Sequence, residues 1–380
     1  MARHRIGLME IGTVNHYTYL QAMLEICIAN NIEVTLFCSF KIEKLIHNSS
    51  LDTNQFQLVV MKDKERIYSF MKRVKKISNN SLDYFWVNTY QLPIKKTLLY
   101  LHLFPRIYSV ITIHDVKTWL SDKIILRKIL FNPINLIFYL SRKIILKKFS
   151  AIAVLEPQQK AWIRKETKNR KPIHTVPFCL NEHYSVQLSS DQLNTKIIVI
   201  PGTITNTRRD YNSLLSILKN NTFNSLRFVF AGRPTDSSGL QICNTLRSIT
   251  NNDIEFFDYF IDDLEYKSII VNSHFILINT HKFIKTEGFM EEYGKTKATG
   301  GIWNCIRFSK PGIIPDWMHS PQINESSLIR YDKKNLYNVL ETINSLSLKD
   351  YNELIDNANK NSFRYKANSK YLEDMLKVNL

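Results

Sequence analysis

Short apolar runs and amphipathic stretches alternate along the chain almost from its first residue. Arg5–Ile11 (RIGLMEI) predicts a buried strand. After the turn Gly12-Thr13-Val14-Asn15, HYTYLQAMLEICIANN carries apolar residues at helical spacing. The runs IEVTLFCS, QFQLVVM, DYFWVNT, SVITIH and AIAVLE predict further strands, separated by helical or basic stretches. Such alternation predicts a parallel sheet covered on both faces. From Pro172 to about Leu193 the pattern breaks, and VPFCLNEHYS reads as an interdomain linker. It restarts with KIIVIPG, a helix from Tyr211, LRFVFAG, DIEFFDYF and SHFILINT, and this second series ends near Ser327, before a polar helical tail from Lys333.

The expected fold class is therefore α/β, with two Rossmann-like βα domains facing a central cleft. The expected boundaries are 1–180 and 181–365, with 366–380 a C-terminal helix packing back on the N-terminal domain. A length of 380 residues fits two domains, and 44% hydrophobic with 22% charged residues is a globular composition. The net charge of +17 predicts an anionic partner: nucleic acid, an acidic membrane surface or nucleotide phosphates. Five scattered cysteines (Cys27, Cys38, Cys179, Cys243, Cys305) include no CxxC or Cys/His cluster, so neither a disulfide framework nor a zinc site is expected. MARHRIGLMEIG lacks a signal-peptide core, and no apolar run reaches the ~18–20 residues of a spanning helix. A reducing cytoplasmic setting is expected, with the protein soluble or peripheral on the inner face of the membrane.

Functional groups on parallel sheets lie beyond the carboxyl ends of the strands. Gly12, Thr13 and His16 follow the first strand, and His114-Asp115 follow SVITI. In the second half four elements fall at strand ends: Pro201-Gly202-Thr203-Ile204 ahead of Thr207-Arg208-Arg209-Asp210-Tyr211, then Ala231-Gly232-Arg233-Pro234, then Tyr259-Phe260-Ile261 before Asp262-Asp263-Leu264, and finally Glu291–Pro315. The last, EEYGKTKATGGIWNCIRFSKPGIIP, reads as a glycine-bounded turn at Gly294 that opens a helix and directs N–H groups at a diphosphate. Lys295 and Lys297 add cationic donors, and the hydroxyls of Thr296 and Thr299 either cap the helix or meet a phosphate oxygen.

On these motifs the chain resembles the family 4 type of glycosyltransferases, retaining enzymes of the GT-B fold. The resemblance rests on GTITNTRRDYNSLL, the strand ending in Ala231-Gly232, the loop before Asp262-Asp263-Leu264, and the acid-containing E-x-x-G start ahead of Lys310-Pro311. It covers most of the C-terminal half and the N-terminal half only as a general pattern. It implies a nucleoside-diphosphate sugar on the C-terminal domain, with acceptor on the N-terminal one. Arg208 and Arg209 match the family's diphosphate-binding base, Gly202 would let backbone approach the phosphates, and Tyr259 and Phe260 would flank the nucleobase. His114 falls where the family places a histidine near the donor sugar, and Gly12 and Thr13 would lie near donor phosphate and acceptor. Glu291 matches the first acid of E-x7-E, with a sugar hydroxyl as its partner. The second acid is missing: counting forward from Gly294 gives Thr299, counting back from Pro311 gives Asn304.

The implied reaction moves a hexose to an acceptor hydroxyl with retention, in surface polysaccharide or glycolipid assembly. No D-x-D occurs, which fits a metal-independent enzyme with no cofactor beyond its donor substrate. Residues 121–150 interleave seven Lys/Arg with Ile, Leu and Phe against one acid, as expected of basic amphipathic helices on an anionic membrane or of domain-packing helices. On a membrane they would bring a polyprenyl-linked acceptor within reach; a plain saccharide is the other acceptor class. The rival readings are a sugar-nucleotide epimerase of the same fold, an inactive family member, and a basic nucleic-acid- or membrane-binding protein. For nucleic acid the chain lacks zinc-finger spacing, an RNP-like motif or a long basic tail, so no such partner is expected.

Overall fold

Strands buried on both faces organise each half of the chain, as the near-continuous apolar runs require. The computed structural model describes residues 4–12, 14, 16–49, 51–90, 101–121, 133–176, 193–320 and 323–367, excluding the side chains of 133–136 and 362–367. Thr13, residues 122–132, most of the expected linker and the 368–380 part of the expected C-terminal helix lie outside the described residues. Among those described, one compact unit takes in Met1–Leu180 and Lys285–Ala298, and the other Asn181–Ile284 and Thr299–Ala367.

The first unit runs β1 (Arg5–Glu10), α1 (Tyr17–Ala29), β2 (Glu33–Ser39), α2 (Phe40–His47), β3 (Gln57–Met61), α3 (Ile67–Ser81), β4 (Tyr84–Val87), β5 (Tyr108–Thr112), α4 (Val116–Leu120), α5 (Pro133–Lys148), β6 (Ala151–Val154), α6 (Pro157–Glu166) and β7 (Ile173–Thr175). Its seven strands lie in the order β3-β2-β1-β4-β5-β6-β7, all parallel. Register is set at the centre, where Leu8 lies level with Leu36 on one side and Trp86 on the other. One apolar cluster, with Leu8, Leu20, Leu24, Leu36 and Trp86, fills one face; another, with Phe37, Phe70, Phe85, Ile111 and Ile152, fills the opposite face. β7 is a correction to the linker expected from Pro172, since three residues after a proline are too few to show a period.

The second unit runs β8 (Lys196–Pro201), α7 (Tyr211–Asn220), β9 (Leu226–Ala231), α8 (Ser237–Ser248), β10 (Asp253–Phe256), α9 (Asp263–Val271), β11 (Phe275–Leu277), α10 (Gly300–Arg307), β14 (Gly312–Pro315), β15 (Leu328–Tyr331), α11 (Leu336–Asn344) and α12 (Leu348–Ala367). Its six parallel strands follow the order β10-β9-β8-β11-β14-β15. β15 again is a strand that the sequence reading ended before. Between β11 and α10 the chain makes a two-stranded ribbon of β12 (Phe283–Thr286) and β13 (Phe289–Glu292). Its turn holds Glu287 at φ 47° and Gly288 at φ 86°, the pair of left-handed residues that a tight two-residue hairpin demands. Both units are thus Rossmann-like, as expected. Among the described residues, no helix is long and apolar enough to cross a membrane.

Candidate functional site

At the strand ends of the first unit, polar side chains are buried against one another. Glu10 closes the apolar strand β1 and is fully buried; it accepts from Asn88 Nδ2 at 2.8 Å and from the Gly12 backbone N–H at 3.3 Å. His114, just after β5, places Nε2 3.4 Å from both the Asn88 carbonyl and Thr89 Oγ1. The His16 ring lies 4.0 Å from its ring, and Tyr19 meets it edge-on at 5.5 Å. Burial, with the neighbouring His16 next in weight, pushes His114 well below the ordinary histidine pKa of 6.5. The imidazole is therefore neutral at physiological pH, with one nitrogen to donate and one to accept.

The segment beginning at Glu291 is divided between the two units, and this changes the reading of its charged residues. Glu291 is fully buried in the first unit. Its Oε1 accepts from the Thr118 N–H and Oγ1, both at 2.6 Å, and Oε2 from the Lys117 N–H at 3.3 Å. The carboxylate thus caps the first turn of α4, whose own preceding residue, Asp115, provides no side-chain cap. Burial, partly offset by the hydrogen bonds of Thr118 and Thr296, raises its pKa above 4.5. The carboxylate expected at a sugar hydroxyl thus accepts from Thr118 and Lys117 in this structure.

Gly294, Lys295, Thr296 and Lys297 are likewise engaged. The turn closes on the Glu292 carbonyl, which accepts from the N–H groups of all three residues after Gly294, and Lys295 pairs with Glu292 at 3.4 Å. Thr296 Oγ1 bonds the Glu292 N–H at 2.8 Å, and Lys297 forms an ion pair with Asp115. The expected phosphate loop at Gly294 is therefore a self-satisfied turn, and the helix starts later, at Gly300.

The remaining strand-end motifs lie in the second unit. After β8, Gly202 takes φ +97°, and a side chain there would collide with the Arg209 guanidinium, 2.0 Å from the Cβ position. Arg209 Nη2 donates to the Pro201 carbonyl at 2.6 Å. Gly202 thus lets Arg209 lie against the strand end, a more specific role than phosphate approach. The loop is pinned by Asp210 N–H to the Asn279 carbonyl (2.8 Å) and His281 N–H to the Arg208 carbonyl (3.0 Å), leaving the Arg208 side chain exposed. Thr299 caps α10 through the Gly301 N–H, and Gly300 faces open space. Asn304 Nδ2 donates to Tyr266 Oη at 2.6 Å, and burial lifts that phenol to about 12 although the charges of Arg209 and Arg307 oppose the shift. Of the two counts for the missing acid, Thr299 is the cap and Asn304 is turned to Tyr266.

Tyr259 and Phe260 are half exposed beyond β10. Tyr259 Oη donates to Glu265 at 2.6 Å, and the Arg233 guanidinium lies 5.5 Å from the Phe260 ring centre. The sequence reading passed over Glu10, Asn88 and Tyr266, and gave Arg233 only as part of a strand-end turn. An acid ending an apolar strand was a usable signal for Glu10; the others become visible only where the fold joins distant segments.

No protein-family model matches this sequence, and no curated protein does. Solved structures match its fold along nearly the whole length. Sucrose-phosphate synthase from Thermosynechococcus elongatus superposes with a TM-score of 0.64 at 13% identity, over 99% of this chain and 98% of that one. A glycosyltransferase from Rickettsia africae gives 0.63 at 12% identity, over 99% and 97%. HepE of Anabaena, in complex with UDP and glucose, gives 0.58 at 11% identity, over 97% and 95%. A UDP-N-acetylglucosamine 2-epimerase of Listeria monocytogenes shares the fold at 0.50 and 10% identity, over 94% and 92%. The chain therefore has the two-domain GT-B fold of glycosyltransferases, a fold that epimerases also use.

Proposed function

We propose that this chain is a retaining, metal-independent glycosyltransferase of the family 4 type, moving a hexose from a nucleoside diphosphate to an acceptor hydroxyl. The observation that carries the reading is the Gly202–Arg209 pair, which fixes one guanidinium on a strand end beside an exposed second one, Arg208. As the glycosidic bond breaks, negative charge grows on the leaving diphosphate. Arg209, held by the Pro201 carbonyl, and the exposed Arg208 are donors suited to that charge. Phe260 with Arg233 offers a face for the base. In the first unit, neutral His114 is suited to a sugar hydroxyl or the departing oxygen. Lys297 and Glu291 drop out of the set, being tied to Asp115 and Thr118.

A lipid-linked acceptor on an anionic membrane is supported by α5. Ile137, Leu140 and Ile144 are exposed at i, i+3, i+7, next to exposed Lys147 and Lys148 on the same helix. Arg142 does not belong to this basic face: it is 4% exposed, pairs with Glu287 and donates to the Thr118 carbonyl at 3.1 Å. Burial brings its pKa down to about 10.

The test is to incubate the full chain with UDP-, GDP- and ADP-hexoses, with and without polyprenyl-diphosphate-linked or free saccharide acceptors. Acceptor-dependent nucleotide release, with the donor's anomeric configuration kept in the product, is expected. Conversion of the sugar nucleotide without any acceptor would establish the epimerase instead.

A further inference from the structure

His114 stands just past the end of the first sheet. The paired register of β5 and β6 ends at Thr112 and Ala153, and the Ile113 N–H donates to the Ala153 carbonyl at 2.9 Å. The ring itself is not held tightly. Nε2 lies 3.4 Å from both the Asn88 carbonyl and Thr89 Oγ1, long for hydrogen bonds. Where the imidazole points therefore depends on what fixes its backbone.

The His114 carbonyl is held by a side chain of another helix. Gln159, the third residue of α6, is fully buried. Its Oε1 accepts from the N–H groups of Leu155 at 2.9 Å and Glu156 at 3.1 Å, which satisfies the helix start. That capping role needs only the oxygen, and a glutamate would fill it equally well. The nitrogen goes elsewhere: Nε2 donates to the His114 carbonyl at 3.2 Å and to the Thr296 carbonyl at 3.3 Å. An amide offers two acceptor lone pairs and two donor hydrogens, and all four are used here. The partners also fix which end is nitrogen, because two N–H groups face one end and two carbonyls the other.

Thr296 lies in a stretch, 285–298, that belongs to the first unit although the second flanks it in sequence. Its carbonyl also accepts from the Val116 N–H at 3.1 Å. Lys297 forms an antiparallel bridge with Asp115 and pairs with its carboxylate. Residues 114–116 are thus tied at three successive points, and Gln159 is the tie that reaches His114 itself.

We propose that Gln159 is a positioning residue for His114, its amide nitrogen setting the direction of the imidazole by holding the His114 carbonyl beside that of Thr296. This rests on the reading of His114 as the group that meets the sugar hydroxyl or the departing oxygen. A displacement of about 1 Å in a reacting arrangement costs on the order of 10²-fold in rate, so losing this tie acts on kcat rather than on donor affinity.

The experiment combines NMR of the histidine rings with acceptor-dependent kinetics on the full chain. The variants are Gln159→Glu, Gln159→Met and each of these in a His114→Gln background. Gln159→Glu keeps the capping oxygen and loses the donors, whereas Gln159→Met keeps the length and loses all four bonds. The His114 signal is assigned by its disappearance in His114→Gln. In Gln159→Glu this signal is expected to move while those of His47 and His274 stay. The kcat is expected to fall roughly 10–100-fold with donor KM within about twofold, and to fall by no more than about twofold when His114 is already absent. An unmoved His114 signal in folded Gln159→Glu would overturn the proposal. An equal kcat loss with and without His114 would do the same, since that is the behaviour of a merely structural glutamine. One arm needs no variant: in wild type the Gln159 side-chain amide protons should exchange as slowly as core backbone amides, and exchange at the rate of an exposed glutamine contradicts the tie. Full kcat in His114→Gln, or no transferase activity at all, ends the catalytic reading of His114, and the ring signal then decides the positioning by itself.

Discussion

Beyond the strands of the first unit, acids and imidazoles are bound to protein groups: Glu10 to Asn88, Glu291 to Thr118, Asp115 to Lys297, His114 packed against His16. Beyond those of the second, groups of other kinds are left open: Arg208 is exposed, the Cβ position of Gly300 meets nothing, and Tyr259 and Phe260 are half exposed, while the Asn279 side chain is buried without a partner. The first arrangement is costly to disturb because removing one partner strands the other. The second is largely open to solvent, where substitution strands no buried partner. The contrast separates residues committed to the fold from residues still open, even inside a single run such as Glu291–Pro315.

Substitutions break the contrast in graded ways. Arg209→Ala should have the largest effect, lowering kcat by roughly 10²–10³-fold, the usual loss when one donor to a developing anion is removed. Steady-state kinetics would read this, while Tm moves little. Glu291→Ala should behave oppositely, costing about 1–3 kcal/mol in denaturant melts because the Thr118 N–H and hydroxyl are left buried and unpaired. Glu291→Gln, which keeps an acceptor, should lose less. The raised carboxyl pKa adds a pH signature: its stabilising contribution is full below 4.5 and declines as pH rises through the folded value, so the gap between wild type and Glu291→Gln narrows with rising pH. If Glu291 instead served a sugar, the Gln variant would lose activity with its melting unchanged.

On α5, Leu140→Asp with Ile144→Asp should weaken co-sedimentation with anionic vesicles roughly tenfold, since each removes an apolar side chain from the interface. His114→Gln should alter the acid limb of stability. The depressed histidine pKa contributes stability that is present above 6.5 and lost as pH falls through the folded value, so Tm of wild type should drop on acidification more steeply than that of the variant. Smallest is Asn279→Leu, which should stabilise the unliganded protein by about 1 kcal/mol by removing orphaned polar atoms.

The two βα series were legible because long apolar strands with glycine turns announce themselves. The Thr207–Arg209 loop could be placed from order alone, since α7 follows it at helical spacing. What escaped were elements of three or four residues: β7 after Pro172, the β12–β13 ribbon, and β15. The ribbon has a signal, Glu287-Gly288 between FIKT and FMEE, but four residues on either side are too few to show a strand period. Whether Glu291 faces a ligand or Thr118, 173 residues away, is decided by a tertiary contact that no local pattern encodes. The orphaned state of Asn279 is equally a property of packing: in sequence, ILINT is one more strand end.

The most direct test of the central claim, that the second unit holds a nucleotide through Arg209, is thermal stabilisation by UDP, GDP and ADP at fixed salt, on wild type and Arg209→Ala. Binding only the native state raises Tm. The account predicts a shift with one base over the others and its loss in the variant. Equal melting with and without every nucleotide, or a shift that survives Arg209→Ala undiminished, would contradict it.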